Sequence, residues 1–248
     1  MPLKPTIGIR NVSTVVTDKE VQAAVAALQV QVSRDFAPAW GLDATLTFLS
    51  KTTATPAGAW LVVISDTSDE VGALGYHDLT SSGQPLGKVF AKTTKQYGQS
   101  WTVCLSHEVL EMIADPNINL CAFDEIHSRF YAYEVCDAVE ADGLGYRINN
   151  VLLSDFVYPG WFEPLNVSPG EKFAFKTALS APLQLASGGY ISYYTASRGW
   201  QQIFAKTAGA AHSMNEHGEA HPTSRAAVGS RRERRRTPKD QWNRSTSN

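Results

Sequence analysis

The stretch Ser106-His107-Glu108-Val109-Leu110-Glu111-Met112-Ile113-Ala114-Asp115-Pro116 does most to decide the fold and the chemistry of this chain. Its apolar positions predict a helix. A helix turns once in about 3.6 residues, so His107 and Glu111 lie one turn apart on the same face. The imidazole and the carboxylate can therefore converge on one ion, while Glu108 reaches toward an open coordination position.

The pattern His-Glu-x-x-Glu resembles the His-Glu-x-x-His motif of the zincin metallopeptidases and differs from it at one residue. The resemblance implies that His107 is a metal ligand and that Glu108 is the general base. Glu111 stands where the second histidine ligand is found. A carboxylate oxygen can bind zinc at about 2.0 to 2.2 Å, but it blunts the Lewis acidity of the ion and widens the choice of metal toward Mn²⁺ or Ca²⁺.

Patterns on either side of the motif predict a sheet and a second helix. Thr17-Asp18-Lys19-Glu20 is a capping box that starts a helix, and Pro38 is expected to end it. A Gly-rich connection contains Gly75-Tyr76-His77-Asp78. The predicted strands are residues 7–12, 45–49, 60–65, 88–92, 121–124, 130–136, 151–156 and 190–194, and the motif helix is predicted over about 99–114.

This order of elements is similar to the upper half of the zincin fold, in which a helix backs a twisted mixed sheet. An edge strand borders the substrate cleft there, and the active-site helix lies beneath it. The resemblance covers roughly residues 6–140. It implies an α+β, zincin-like fold class with an irregular, β-rich C-terminal part. We expect one globular domain over residues 1–206, of which 141–206 form a β- and loop-rich extension.

The resemblance also implies a third ligand from outside the helix. In one zincin branch this ligand is a downstream glutamate in a Glu-x-x-x-Asp arrangement. Here Glu134 and Asp137 are three residues apart rather than four, so the match is loose. We favour Glu134 narrowly, with Asp137 as the alternative ligand or as support for a ligand. A second branch would use Asn117, a poor ligand, and Asp115 could ligate, orient a ligand or stabilise the end of the helix.

Other polar side chains are candidates for contacts with a substrate. His77 lies in the connection that would border the cleft, where it could bind substrate or stabilise an anionic intermediate, although the pattern favours an ordinary surface loop. The phenol of Tyr133 could donate to an oxyanion, although an aromatic residue on a strand is more often part of a core. His127 is a second-rank rival nitrogen ligand.

Composition limits the classes of protein to which the chain can belong. The chain has 248 residues, 43% of them hydrophobic, and six tryptophans, which suffices for one sizeable core. We find no signal peptide or transmembrane pattern and expect a cytoplasmic protein without membrane contact. Its three cysteines are expected to be reduced thiols. Residues 207–248 are expected to form a disordered basic tail, in which Arg231–Arg236 could make weak contact with an acidic or nucleic-acid partner.

The motif and its setting favour a metal-dependent hydrolase, most plausibly a peptidase that acts on peptides or proteins with Zn²⁺ or another divalent cation. In this hypothesis His107, Glu111 and Glu134 bind the ion. The alternative is a catalytically inactive zincin-like protein with a binding or structural role in a larger assembly. A plainer interpretation makes the motif an exposed helix face whose glutamates are solvated. In a third, weaker hypothesis, the basic tail tethers the chain to nucleic acid.

Overall fold

The computed structural model of the protein describes residues 4–70, 72–165 and 167–205. The predicted basic tail lies outside these residues. The described part is a mixed α/β structure. Its strands are β1 Thr6–Asn11, β2 Thr45–Leu49, β3 Trp60–Ser65, β4 Gly75–Leu79, β5 Pro85–Phe90, β6 Cys121–Asp124, β7 Arg129–Ala132, β8 Tyr146–Ile148, β9 Val151–Leu153, β10 Tyr190–Thr195 and β11 Gly199–Phe204. Its helices are α1 Asp18–Val30, α2 Ala37–Trp40, α3 Ala91–Gln96 and α4 Trp101–Ala114.

The N-terminal half forms a five-stranded mixed sheet in the order β2-β1-β3-β5-β4. The first four of these strands are parallel, and β4 runs antiparallel to β5 at one edge. The strands predicted over residues 45–49 and 60–65 are confirmed. The strand predicted over 88–92 lies earlier, because Ala91 already begins α3.

The Gly-rich connection at residues 75–78 was predicted as a loop, and this prediction is wrong because Gly75–Leu79 forms β4. Glycine and aspartate have low strand propensity, so Gly75 and Asp78 weaken the local signal for a strand there. Pairing with β5 and packing against α4 decide the conformation instead. Edge strand β4 thereby places His77 over the motif helix.

The first helix begins with the predicted capping box. Thr17 Oγ1 accepts a hydrogen bond from the Glu20 amide, and the Glu20 carboxylate accepts one from the Thr17 amide, which confirms that prediction. The prediction that Pro38 ends the helix is wrong. A π-helical segment, Gln31–Phe36, follows α1 and leads into α2, where Pro38 lies in the first turn and needs no amide donor. The helical run ends instead at Gly41, which has a left-handed backbone with φ of 66°.

The motif helix α4 lies in the middle of the structure, packed against β4, β5 and β9. It was predicted over about 99–114 and begins at Trp101, after Ser100. Every residue of α4 except Thr102 is buried. The interpretation of the motif as an exposed, solvated helix face is therefore wrong, because Glu108 and Glu111 both have 0% exposure.

The chain after α4 forms a four-stranded sheet in the order β11-β10-β7-β6 and the separate β8–β9 hairpin. The predicted strand over residues 130–136 ends at Ala132, and a short 3-10 segment, Asp137–Val139, follows. Residues 133–136 therefore leave the sheet and approach α4. Among the described residues, no helix combines the length and the apolar character that crossing a membrane requires.

Candidate metal centre

The centre is built first on α4. His107 Nε2 lies 3.2 Å from Glu111 Oε2, one turn further along the helix. The side chains of His107 and Glu111 are 2% and 0% exposed, and Glu108 between them is also fully buried. Helical spacing alone brings the imidazole and the carboxylate together, as the sequence predicts.

Hydrogen bonds at both ends of the motif fix α4 against the C-terminal half. The Cys136 amide donates to Glu111 Oε1 over 3.3 Å, which leaves Oε2 facing His107. One residue before His107, Ser106 Oγ accepts a short hydrogen bond of 2.6 Å from the Ser154 amide. The motif helix is thus held by the backbone of two later segments, and both contacts are buried.

Strand β4 supplies a second histidine. His77 Nδ1 lies 3.4 Å from Glu108 Oε2 and 3.6 Å from Glu111 Oε2. The preceding residue on the same face is Gly75, and a Cβ at that position would lie 2.5 Å from Cys104 Sγ and 2.9 Å from the Lys88 carbonyl oxygen. The absence of a side chain at Gly75 therefore lets β4 lie directly on α4. His77, a candidate for contact with substrate, lies among the carboxylates.

The segment after β7 completes the cluster. Asp137 Oδ1 lies 3.2 Å from His107 Nε2, whereas Glu134 Oε2 lies 3.7 Å from His77 Nε2. The structure therefore places the alternative ligand, Asp137, beside the motif histidine and places the favoured ligand, Glu134, beside His77. Cys136 adds a thiol, because its Sγ and ligand atoms of His107 and Glu111 all lie within 4.8 Å of one another.

Two further predicted residues have contacts outside this cluster. The Asp115 carboxylate accepts hydrogen bonds from the Asn119 and Leu120 amides, each over 3.0 Å, and so closes the turn after α4. The Tyr133 ring stacks on Phe162 at 4.3 Å and lines a groove of about 270 Å³. Burial raises the pKa of Tyr133, so its phenol stays neutral over a wide pH range.

The remaining ligand candidates lie at the surface. Asn117, which the second zincin branch would use, is exposed. His127 has a side chain that is 59% exposed, and its Nδ1 contacts Asp124 Oδ2 at 2.6 Å. His127 thus forms a local pair with the acidic residue that precedes it by three positions.

Burial and like charge govern the ionisation of the cluster. Burial raises the pKa of Glu111 well above its ordinary range, and the neighbouring Asp137 carboxylate raises it further. Burial by itself would lower the pKa of His107, but the Glu111 and Asp137 carboxylates outweigh it and hold this pKa well above the ordinary value. Burial, followed by the charge of Glu111, also raises the pKa of the Cys136 thiol. The metal-free cluster therefore retains protons that a cation would displace.

The donor atoms fit a divalent cation. Within the part of the chain that the structure describes, Glu108 Oε1 and both carboxylate oxygens of Asp137 are buried and accept no hydrogen bond of normal geometry. Leaving buried carboxylate oxygens unsatisfied is costly, and coordination of a cation removes that cost. Imidazole nitrogen, carboxylate oxygen and thiolate sulfur together are a donor set that suits Zn²⁺.

Sequence reasoning did not count two members of the cluster among the candidate ligands. Cys136 was taken as an ordinary buried thiol, yet it lies one residue before Asp137, and this proximity was the available signal. His77 was assigned to a loop because the connection around it is Gly-rich, so its position facing α4 could not be foreseen. Pairing between β4 and β5, which is non-local, places it.

Comparisons with known proteins identify no relative of this chain. No model of a protein family matches the chain, and searches of curated proteins and of solved structures likewise found no significant match. The function is therefore inferred from the site itself.

Proposed function

We propose that the protein is a metal-dependent hydrolase with a zincin-like arrangement, and that its substrates are peptides or proteins. The observation that carries the proposal is the buried group formed by His107, Glu111 and Asp137, with Glu108 beside it. These side chains come from one helix and one later segment. A mixed sheet whose antiparallel edge strand lies over a His-Glu helix supports the zincin-like part of the proposal.

His107, Glu111 and Asp137 would hold the ion, with Cys136 as a further donor. A bound divalent cation supplies Lewis acidity and makes a coordinated water acidic near neutral pH, at a pKa of about 7 for zinc in favourable sites. Hydrogen bonding from the Cys136 amide orients Glu111. Ligand orientation by such contacts is worth about 10- to 100-fold in metal affinity or activity.

Glu108 is the residue we assign to proton transfer. Its Oε2 faces His77 at 3.4 Å, while its Oε1 is buried and accepts no hydrogen bond from the described residues. Oε1 is therefore free to take a proton from a water molecule and return it to the leaving amine. The His77 contact limits the rotation of the carboxylate and holds it over the site.

An extended peptide is the substrate class that suits this geometry. Strand β4 is the last strand of the five-stranded sheet, and the proposed zincin-like arrangement would lay an extended peptide along such an edge strand. A peptide bound in this way would run past His77 and therefore close to Glu108. Backbone pairing places the scissile bond without demanding a particular side chain, which supports a peptidase over a hydrolase of small molecules.

The proposal is tested with the full chain and its Glu108→Gln variant. The parent is expected to bind a divalent cation and to cleave members of a mixed peptide library in a chelator-sensitive way. The variant is expected to keep the cation held by His107, Glu111 and Asp137 and to lose activity by about 10²- to 10⁴-fold, the range usual for a general base. Glu125→Gln, an exposed carboxylate, serves as the matched control. A parent without bound metal, or equal cleavage by parent and Glu108→Gln, overturns the proposal.

A second candidate function, a closed structural metal centre, is favoured by the burial of the site. His107, Glu108, Glu111 and Asp137 are all 2% exposed or less. Catalytic metal sites keep an open coordination position, whereas structural sites are closed. The same experiment separates the two candidate functions. If the centre is structural, metal binding raises the melting temperature and no peptide is cleaved. Glu108→Gln then changes only the stability of the protein.

A further inference from the structure

The donor atoms of the centre form two groups that meet at Glu111. The first consists of His107, Glu111 and Cys136, and the second consists of His77, Glu108 and Glu111. Within each group, the three ligand atoms lie within 4.8 Å of one another. Glu111 thus belongs to both, with His107 on one side and His77 on the other.

Contacts on both sides of Glu111 Oε2 have the spacing of ligands around an ion. Donors held at about 2.0 to 2.2 Å by one tetrahedral ion lie about 3.3 to 3.6 Å apart. On the first side, His107 Nε2 is 3.2 Å from Glu111 Oε2. On the second side, His77 Nδ1 is 3.6 Å from the same oxygen and 3.4 Å from Glu108 Oε2. Small shifts of these side chains would allow each side to bind its own ion.

The charge of the cluster calls for more than one divalent cation. Glu108, Glu111, Glu134 and Asp137 are each at most 3% exposed, and the ion-pair contacts at 3.2 to 3.7 Å described above join them to His77 and His107. With the Cys136 thiolate as a donor, four ionised carboxylates and two neutral imidazoles carry a total charge of −5. One divalent cation leaves −3 in a buried site, and two leave only −1. Uncompensated buried charge is costly, so neutralisation favours two ions.

Glu134 has a position that suits a residue orienting His77. Its Oε2 lies 3.7 Å from His77 Nε2, while His77 Nδ1 faces Glu108 and Glu111. A proton on Nε2, attracted by Glu134, leaves the lone pair of Nδ1 directed toward the two other carboxylates. Ligand histidines are commonly held by a carboxylate on their second nitrogen. Glu134, predicted as a ligand, thereby becomes a positioning residue.

We propose that the centre binds two divalent cations that share Glu111 Oε2. His107, Asp137 and Cys136 complete the first site, and His77 and Glu108 complete the second. This inference rests on the proposed function, because it adds an ion beside the one assigned there. Paired ions in hydrolytic centres lie about 3.5 to 4 Å apart and act together on one substrate. Glu108 would bind the second ion through Oε2, and its Oε1 would remain available to accept the proton of the water molecule.

Metal content of the full chain tests the inference without reference to activity. Chelator-treated protein is reloaded with Zn²⁺, freed of excess metal and analysed for zinc per chain. The parent is expected to hold two ions, while His77→Asn and His107→Asn each hold one. His127→Asn, which removes an exposed histidine paired with a carboxylate, is the matched control and is expected to retain two. Loading with Mn²⁺ adds a second measurement, because neighbouring Mn²⁺ ions give a spin-coupled electron paramagnetic resonance spectrum and an isolated ion does not.

The outcomes separate this inference from the proposed function. One ion in the parent contradicts the second site and leaves the proposed function standing, whereas no ion contradicts both. The inference is overturned if the two ions are not spin-coupled or if His77→Asn retains both. The second ion then lies elsewhere, for example on His212, His217 or His221 of the C-terminal segment. The parent measurement decides the question even if a histidine variant fails to fold.

Discussion

Gly75 lies directly against Glu108: a Cβ at Gly75 would stand 3.1 Å from Glu108 Cγ. The same added atom would be 2.5 Å from Cys104 Sγ and 2.9 Å from the Lys88 carbonyl oxygen. The contact with backbone cannot be relieved by rotation of a side chain. The spacing between β4 and α4, and with it the distance from His77 to Glu108, therefore depends on a residue without a side chain.

Replacement of Gly75 by alanine is expected to destabilise the protein by about 1 to 3 kcal/mol through overpacking. For a chain of this size each kcal/mol lowers the melting temperature by about 2 to 4 °C. Displacement of β4 moves His77 away from Glu108, so metal affinity falls as well. Thermal unfolding and metal titration measure the two effects. Gly143→Ala is the control, because a Cβ there meets nothing within 4 Å. Equal stability of both variants would show that β4 is not held in this way.

Glu111→Gln is expected to change stability in opposite directions with and without metal. Burial and the Asp137 carboxylate raise the pKa of Glu111, so the ionised Glu111 carboxylate destabilises the metal-free protein. Glutamine keeps the oxygen that accepts the Cys136 amide and removes the charge. In chelator, the melting temperature of the variant is therefore expected to equal or exceed that of the parent.

In the presence of zinc the order is expected to reverse. Loss of a ligand weakens binding by at least about tenfold, which removes about 1.4 kcal/mol or more of metal-linked stability. Melting curves at matched zinc concentrations measure the effect, and the exposed Glu125→Gln serves as reference. A variant that is less stable than the parent in chelator, yet gains as much from zinc, would contradict the role of Glu111 as a ligand.

Local sequence predicted those features that depend on helix periodicity and capping. The one-turn spacing of His107 and Glu111 and the Thr17 capping box both follow from such short-range rules and are present as expected. The strand predicted at residues 60–65 is continuous in apolar residues and is confirmed.

Features set by long-range contacts could not be predicted from the local sequence. Pairing with β5 and packing against α4 stabilise the strand conformation of β4. Its sequence has no alternation of apolar and polar residues that would predict a strand. Whether Glu134 or Asp137 lies beside His107 depends on how the chain turns after Ala132, where a 3-10 segment directs Asp137 toward His107. The passage of the helix through Pro38 depends on a π-helical segment that no pattern of apolar residues indicates.

Asp115 is a buried carboxylate at ligand spacing whose contacts serve the fold. It lies one turn beyond Glu111, it is fully buried, and spacing alone made it a candidate for the metal. Its two oxygens, however, accept the amides of Asn119 and Leu120. Asp115 therefore ties the turn after α4 to the end of the helix through these two amides.

Asp115→Ala is therefore expected to cost about 2 kcal/mol of stability, the magnitude of losing two hydrogen bonds to a charged acceptor whose donors can partly turn to water. The metal content of the folded variant is expected to equal that of the parent, because His107, Glu111 and Asp137 are unchanged. Denaturant unfolding and metal analysis on the same sample measure both quantities. Asp137→Ala is the matched comparison and is expected to lose metal affinity while the turn stays intact. Loss of metal in Asp115→Ala with unchanged stability in chelator would instead assign Asp115 to the metal centre, since only a ligand would leave the metal-free fold unaffected.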